Sequence, residues 1–210
     1  MVKSLGLVEY QPTWDAMKRF TVDRTGETRD EIWLVRHPPT YTQGLAGKPE
    51  HLIGLTDIPV IQIDRGGQIT YHGPGQIVAY LLLDLRRWKI NVRELVRLME
   101  HAVIDMLAGF GVEARSREDA PGVYVDDAKI ASLGLKIKNG CCYHGLSLNV
   151  DMDLSPFACI NPCGYAGMRV TQCSELGITT PISELQMQLA QNLIIGLQQH
   201  MEIKQAHEQL

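Results

Sequence analysis

Apolar positions in this chain recur with two different periods. Ile32 to Val35 and Val60 to Ile63 are short runs rich in β-branched residues, and they predict strands. Ile77 to Leu85 is apolar almost throughout, the signature of a strand covered on both faces. The period then changes. Val92, Leu95, Val96, Met99, Val103, Met106, Leu107 and Phe110 recur at helical spacing, with Asn91 and Glu94 forming an N-terminal cap and Gly109 and Gly111 marking the end. Val123 to Val125, an Asp126-Asp127 turn and Ile130 to Ile137 read as a hairpin. The Asn139-Gly140 turn extends it into Cys142 to Val150, making a three-stranded meander. Thr180-Pro181 opens a last helix carrying Leu185, Leu189, Leu193, Ile194 and Leu197. The expectation is an α+β (mixed α/β) domain, with a mixed β-sheet and helices packed on it.

A length of 210 residues suits one large domain, and a chain of this size needs no metal or disulfide for stability. The net charge of −4 argues against a partner among nucleic acids or membrane surfaces. Met1 to Tyr10 lacks an apolar signal core and no stretch is long enough to span a bilayer, so a cytoplasmic location is expected. The cysteines are Cys141, Cys142, Cys159, Cys163 and Cys173. Their number is odd and no CxxC occurs, so neither a disulfide framework nor a zinc knuckle is indicated.

Three segments carry more polar and turn-forming residues than folding requires. The first runs Arg65-Gly66-Gly67-Gln68-Ile69-Thr70-Tyr71-His72-Gly73-Pro74-Gly75-Gln76. Its glycines allow close approach of a ligand, Arg65 can bind an anion, and His72 is expected to project from a loop. The second runs from Ala128 to Gly134 through Lys129 and Ser132. Strand alternation places Lys129, Ala131 and Leu133 on one face, where a partly desolvated amine could act as a base. A strand lysine more commonly reaches water, and spacing does not choose between the two. The third is Ile160-Asn161-Pro162-Cys163-Gly164-Tyr165-Ala166-Gly167. A Cys between Pro and Gly lies in a tight turn, where an exposed sulfur with free amides beside it suits a nucleophile. His144 is a further polar candidate.

Together these segments resemble one family. RGGQITYHGPGQ, PGVYVDDAKIASLGLKI and HGLSLNVDMDLSPF running into INPCGYAG are similar to the lipoyl(octanoyl) transferases, in the family's order, over roughly Asp30 to Thr171. The two ends match only in general character. The resemblance implies the catalytic fold of biotin and lipoate protein ligases, as one domain over 1–210 with its catalytic part about 28–205. It implies transfer of an octanoyl group from acyl carrier protein to a lysine on lipoyl domains of 2-oxoacid dehydrogenases or the glycine-cleavage H protein, with no cofactor. Cys163 would carry the acyl thioester, and Lys129 would lower the thiol's pKa. The substrate pocket would comprise Arg65, Gly66, Gly67, Gln68, Ile69, Thr70, Tyr71 and His72, then Ser132, Leu133 and Gly134, then Gly145, Leu146 and Ser147.

Rival readings are an ATP-dependent lipoate or biotin ligase, a cysteine hydrolase pairing Cys163 with His72 or His144, and a non-catalytic binder of lipoyl domains. The ligase has no use for a nucleophilic cysteine, and a hydrolase would waste the thioester. Arg86, Arg87, Lys89, Arg93 and Arg97 form a basic cluster, either a solvated helix face or a landing site for the acidic carrier.

Overall fold

The apolar run beginning at Ile77 becomes the middle of the molecule because both faces of that strand are covered. In the computed structural model, which describes residues 1–165 and 167–208 (the side chains of Cys163 and Glu208 excepted), the elements run in order. They are β1 (Val2–Leu7), α1 (Tyr10–Val22), β2 (Glu31–Arg36), β3 (Thr40–Gln43), β4 (Val60–Gln62), β5 (Ile69–His72) and β6 (Gln76–Asp84). Then come α2 (Val92–Ala108), β7 (Arg115–Ser116), β8 (Val123–Val125), β9 (Ala128–Lys138), β10 (Cys141–Asn149) and α3 (Ile182–Glu208). Short 3₁₀ turns link the rest.

Seven strands form one sheet in the order β1-β2-β6-β10-β9-β8-β7, and β4-β3-β5 form a smaller one. The expected meander is β8-β9-β10, with Asn139 and Gly140 both at positive φ in its second turn. Along β6 the side chains alternate between two cores. Ile77, Ala79, Leu81 and Leu83 join the cluster under α2 and α3, while Val78, Tyr80 and Leu82 join Tyr10 and Met17 of α1 on the other face. Helix α2 carries the expected capping box: the Asn91 side chain accepts from Glu94 N, and the Glu94 carboxylate accepts from Asn91 N. Among the described residues no helix is long and apolar enough to cross a membrane.

Two expectations need correction. His72 does not project from a loop. It ends β5, is buried, and stacks on Tyr10. Nor does Lys129 share a face with Ala131. Val123 faces Ala131 but Tyr124 faces Lys129, so Ile130 is an extra residue in β9. This bulge reverses the alternation. Ala131 joins the α2/α3 core, and Lys129 is turned to the opposite face, the one that carries Ser132 and Gly134.

Candidate active site

The α1 face of the large sheet and the small sheet flank a partly open cavity of about 50 Å³. Its lining joins three distant segments: Arg65, Gly67, Gln68, Ile69, Thr70 and His72; Ser132, Leu133 and Gly134; and His144, Gly145, Leu146 and Ser147. Tyr10, Val78 and Tyr80 complete it. Antiparallel pairing explains the meeting, because Gly134 lies opposite Gly145 and Ser132 opposite Ser147. Two of the expected pocket residues stand apart. Tyr71 alternates to the far side of β5 and packs against Tyr41 and Phe157, and Gly66 is not in the lining. The paired glycines are needed for space. A Cβ on Gly145 would run into Ala79 O, and one on Gly134 would come within 2.8 Å of Arg65 Cδ.

The cavity wall is held by a directional hydrogen-bond chain. Arg65 Nη2 donates to Thr42 O at 2.7 Å and to Thr42 Oγ1 at 3.0 Å. Thr42 Oγ1 lies 3.3 Å from His72 Nε2, and His72 Nδ1 donates to Gln76 Oε1 at 2.7 Å, which assigns the neutral tautomer from its partners. Gln76 Nε2 donates to Asn149 Oδ1 at 2.9 Å, Asn149 Nδ2 donates to Thr171 O at 3.0 Å, and Thr171 N donates to Lys129 O at 3.0 Å. The expected motif thus contributes framework as well as lining. Burial holds the His72 imidazole down to about 3, so it is neutral at physiological pH.

His144 has positive φ within a strand, a costly conformation outside glycine. Its effect is to aim Tyr143 and His144, neighbours in sequence, at the same carboxylate. Tyr143 OH donates to Asp64 Oδ2, and His144 Nε2 lies 3.0 Å from Asp64 Oδ1, which also accepts from Trp14 Nε1 at 2.9 Å. Those partners keep the Asp64 carboxyl well below the usual range despite its burial. His144 is 1% exposed, and burial lowers its pKa despite the carboxylate. The sequence reading missed Asp64, though it directly precedes Arg65, because its partner lies across the fold.

Lys129 is 2% exposed. Its Nζ donates to Pro121 O at 3.3 Å and stands 5.1 Å from the centre of the Tyr124 ring. The Cys163 backbone lies in a 3₁₀ turn, Pro162–Gly164, while its side chain lies outside the described residues. The turn is pinned on all sides. Asn161 N donates to His51 O at 2.8 Å, Gly164 sits against Gln68 and His51, and Tyr165 OH donates to Asp119 O at 2.8 Å. Downstream, Val170 bridges to Lys129 through the backbone. Gln68 therefore both lines the cavity and touches the turn. The expectation of free amides beside the sulfur is corrected in two places: Gly164 N donates to Asn161 O and Tyr165 N to Pro162 O, within the turn itself. The Gly73-Pro74-Gly75 turn is packed onto residues 150–152, with Gly75 O accepting from Val150 N and Asp151 N.

Three of the remaining cysteines behave as core residues, while Cys159 is partly buried. Cys141, Cys142 and Cys173 are buried, and burial raises both Cys142 and Cys173 to about 12. The basic cluster divides. Arg86 and Arg87 are tied to Asp84 and Asp30, whereas Arg93 and Arg97 line a groove with His101 and Arg117.

Known proteins resemble this chain in sequence and in fold. Residues 9–194 match the model of the lipoyl protein ligase A/B catalytic domain. The chain belongs to this family. An octanoyltransferase from Nitrosomonas europaea is 64% identical over 193 residues, covering 92% of this chain and 95% of the relative. Among solved structures, a lipoate-protein ligase A bound with ATP superposes with a TM-score of 0.75 at 15% identity, covering 96% of this chain and 85% of that one. Biotin protein ligase from Aquifex aeolicus, in complex with biotin and ATP, gives 0.62 at 14% identity, covering 96% and 72%. The fold is therefore that of the lipoate and biotin protein ligases, as the resemblance implied.

Proposed function

We propose that this chain is an octanoyltransferase of protein lipoylation. It takes an octanoyl group from acyl carrier protein onto Cys163 and passes it to a lysine of a lipoyl domain. The reading is supported most directly by the loop at 119–122, which holds Lys129 Nζ through Pro121 O and the cysteine turn through Asp119 O and Tyr165. Base and nucleophile are thus fastened to one support, and Gln68 links the cysteine turn to the cavity. The high identity to a named octanoyltransferase, against 15% to a ligase, favours transfer over ATP-dependent ligation. A cysteine hydrolase is less well supported, since His72 and His144 are buried with their rings bonded into the framework.

The chemistry balances without another reactant. Lys129 takes the Cys163 proton, and the thiolate attacks the carrier's thioester carbonyl. A new carbon–sulfur bond forms to Cys163, the carrier's carbon–sulfur bond breaks, and the lysine ammonium returns the proton to the departing thiolate. The second step forms an amide and releases Cys163. It runs downhill because an amide is more stable than a thioester; Lys129 takes the proton of the incoming amine as the carbon–sulfur bond to Cys163 breaks and passes it to the departing Cys163 thiolate.

Intact-protein mass after incubation with octanoyl-acyl carrier protein tests this reading. One hydroxylamine-labile octanoyl adduct is expected on the wild type and none on Cys163→Ala, which should also fail to turn over. Normal turnover by that variant would discard the thioester route.

Chain length is a second readout. The cavity presents Ile69, Val78, Leu133 and Leu146 among its polar groups. With a buried methylene worth about 0.8 kcal/mol, a hexanoyl donor should lose roughly 15-fold in kcat/KM against octanoyl. Equal rates for both would mean that the chain does not enter the cavity.

A further inference from the structure

A carboxylate buried in a helix facing the lysine's support loop has no part in the chemistry above. Glu100, on α2, is 5% exposed, and its Oε1 accepts from Gly122 N at 3.0 Å. Burying a carboxylate is costly without compensation. A neutral acceptor would serve one backbone amide as well. Burial raises the pKa of Glu100, opposed in part from two sides by Arg97 and His101 on its own helix and by Lys129 on β9.

What Glu100 holds is more telling. Each residue of the loop makes a different contact with the site. Asp119 O accepts from Tyr165 OH, Ala120 O accepts from Tyr124 OH at 2.7 Å, and Pro121 O accepts from Lys129 Nζ. Gly122 closes the series with φ +149, a backbone conformation that side chains rarely adopt. A Cβ there would lie 2.9 Å from Lys129 Cε and 2.8 Å from Ala131 O, so the lysine stem lies directly on the Gly122 backbone. Glu100 grips that residue from the helix side while the lysine rests on its other side.

We infer that Glu100 is a positioning residue for the transfer reaction: by anchoring Gly122 it fixes the Pro121 carbonyl that places the Lys129 amine. The inference rests on the reading of Lys129 as the base. Displacing a catalytic group by about 1 Å can cost on the order of 10²-fold. Glu100→Ala should therefore slow single-turnover acylation by octanoyl-acyl carrier protein by roughly 10- to 100-fold, with KM for the carrier held within about twofold. Glu100→Gln keeps an acceptor for Gly122 and should recover most of the rate.

The test is a double-mutant cycle with Lys129→Ala, read by acyl-enzyme mass against time. If Glu100 acts through the lysine, Glu100→Ala adds less than about twofold once Lys129 is gone. A wild-type rate for Glu100→Ala would overturn the inference, as would a loss that persists undiminished in the Lys129→Ala background. Should Glu100→Ala fail to fold, Glu100→Asp keeps the charge but draws the carboxylate back from Gly122 N; it is expected to show the same loss and the same non-additivity, and a wild-type rate would overturn the inference. A wild-type rate for Lys129→Ala alone would instead remove Lys129 from the mechanism, a distinguishable failure of the underlying reading.

Discussion

Lys129→Met is expected to slow both acylation of Cys163 and transfer to the lipoyl domain by about 10²- to 10⁴-fold, the range for losing a positioned acid–base group. Methionine keeps the unbranched apolar stem of the lysine, one atom shorter, and fits a site that is 2% exposed, so the fold should survive. Carrier binding should survive as well, because the buried amine has no surface through which to meet the carrier. Lys129→Arg should be little better. The stem already lies on Gly122, where a Cβ would come 2.9 Å from Cε, and a planar guanidinium cannot occupy the place of a compact amine there. Arginine also stays protonated and cannot accept the thiol's proton. Rapid-quench measurement of each half-reaction, with the carrier's KM alongside, checks this. Unchanged acylation in Lys129→Met would show that the thiolate forms without the lysine.

The elements legible in the sequence were those whose burial is apolar. The strand at Gln76–Asp84, the capped helix at Val92–Ala108 and the β8-β9-β10 meander all announce themselves by period or turn chemistry. Of the missed elements, β1 and β7 are largely exposed edge strands, and two others bury polar groups. Helix α1 sets Tyr10, Thr13, Met17 and Thr21 inward, and β3 buries Thr40, Tyr41, Thr42 and Gln43 completely, so neither shows an apolar stripe. In β9 the direction of Lys129 depends on a bulge, and alternation counted from the sequence gives the wrong face.

The candidate site divides in the same way. The glycine-rich motif, the β9 segment and the HGLS segment could be recognised one by one, and the resemblance joined them. The long-range partners could not be read. Asp64 meets His144 across 80 positions, and Glu100 meets Gly122 from a helix whose periodicity only marks it as inward-facing. Such pairings are decided by sheet register and helix placement, which local pattern does not encode.

The buried histidines that frame the cavity should make the fold acid-sensitive well above the carboxylate range. Burial lowers His37 to about 4 and His72 to about 3, with His144 also lowered. His37 donates Nδ1–H to Val8 O and accepts at Nε2 from Tyr80 OH, both at 2.7 Å, so its protonation breaks a buried bond. The His37 and His72 rings are 6.0 Å apart, and charging both adds repulsion. The sign follows from linkage. These groups bind protons in the unfolded chain from pH about 6.5 downward but resist them in the folded one, so their contribution is present above that pH and is lost as pH falls. At pH 5, His37 and His72 should each favour unfolding by about 2 kcal/mol relative to pH 7.5, a large share of a typical 5–15 kcal/mol. Scanning calorimetry should find Tm nearly flat from pH 8 to 7 and falling steeply between about 6.5 and 4.5, with roughly two to three protons taken up on unfolding at pH 5. Asp64, held below its ordinary range, acts in the same direction but at far lower pH, and Glu100, whose pKa burial raises, opposes the fall as a single group against three histidines. A Tm unchanged between pH 7 and 5 would mean that the imidazoles reach solvent protons without unfolding, and that the hydrogen-bond chain from Arg65 to Lys129 is looser than its geometry implies.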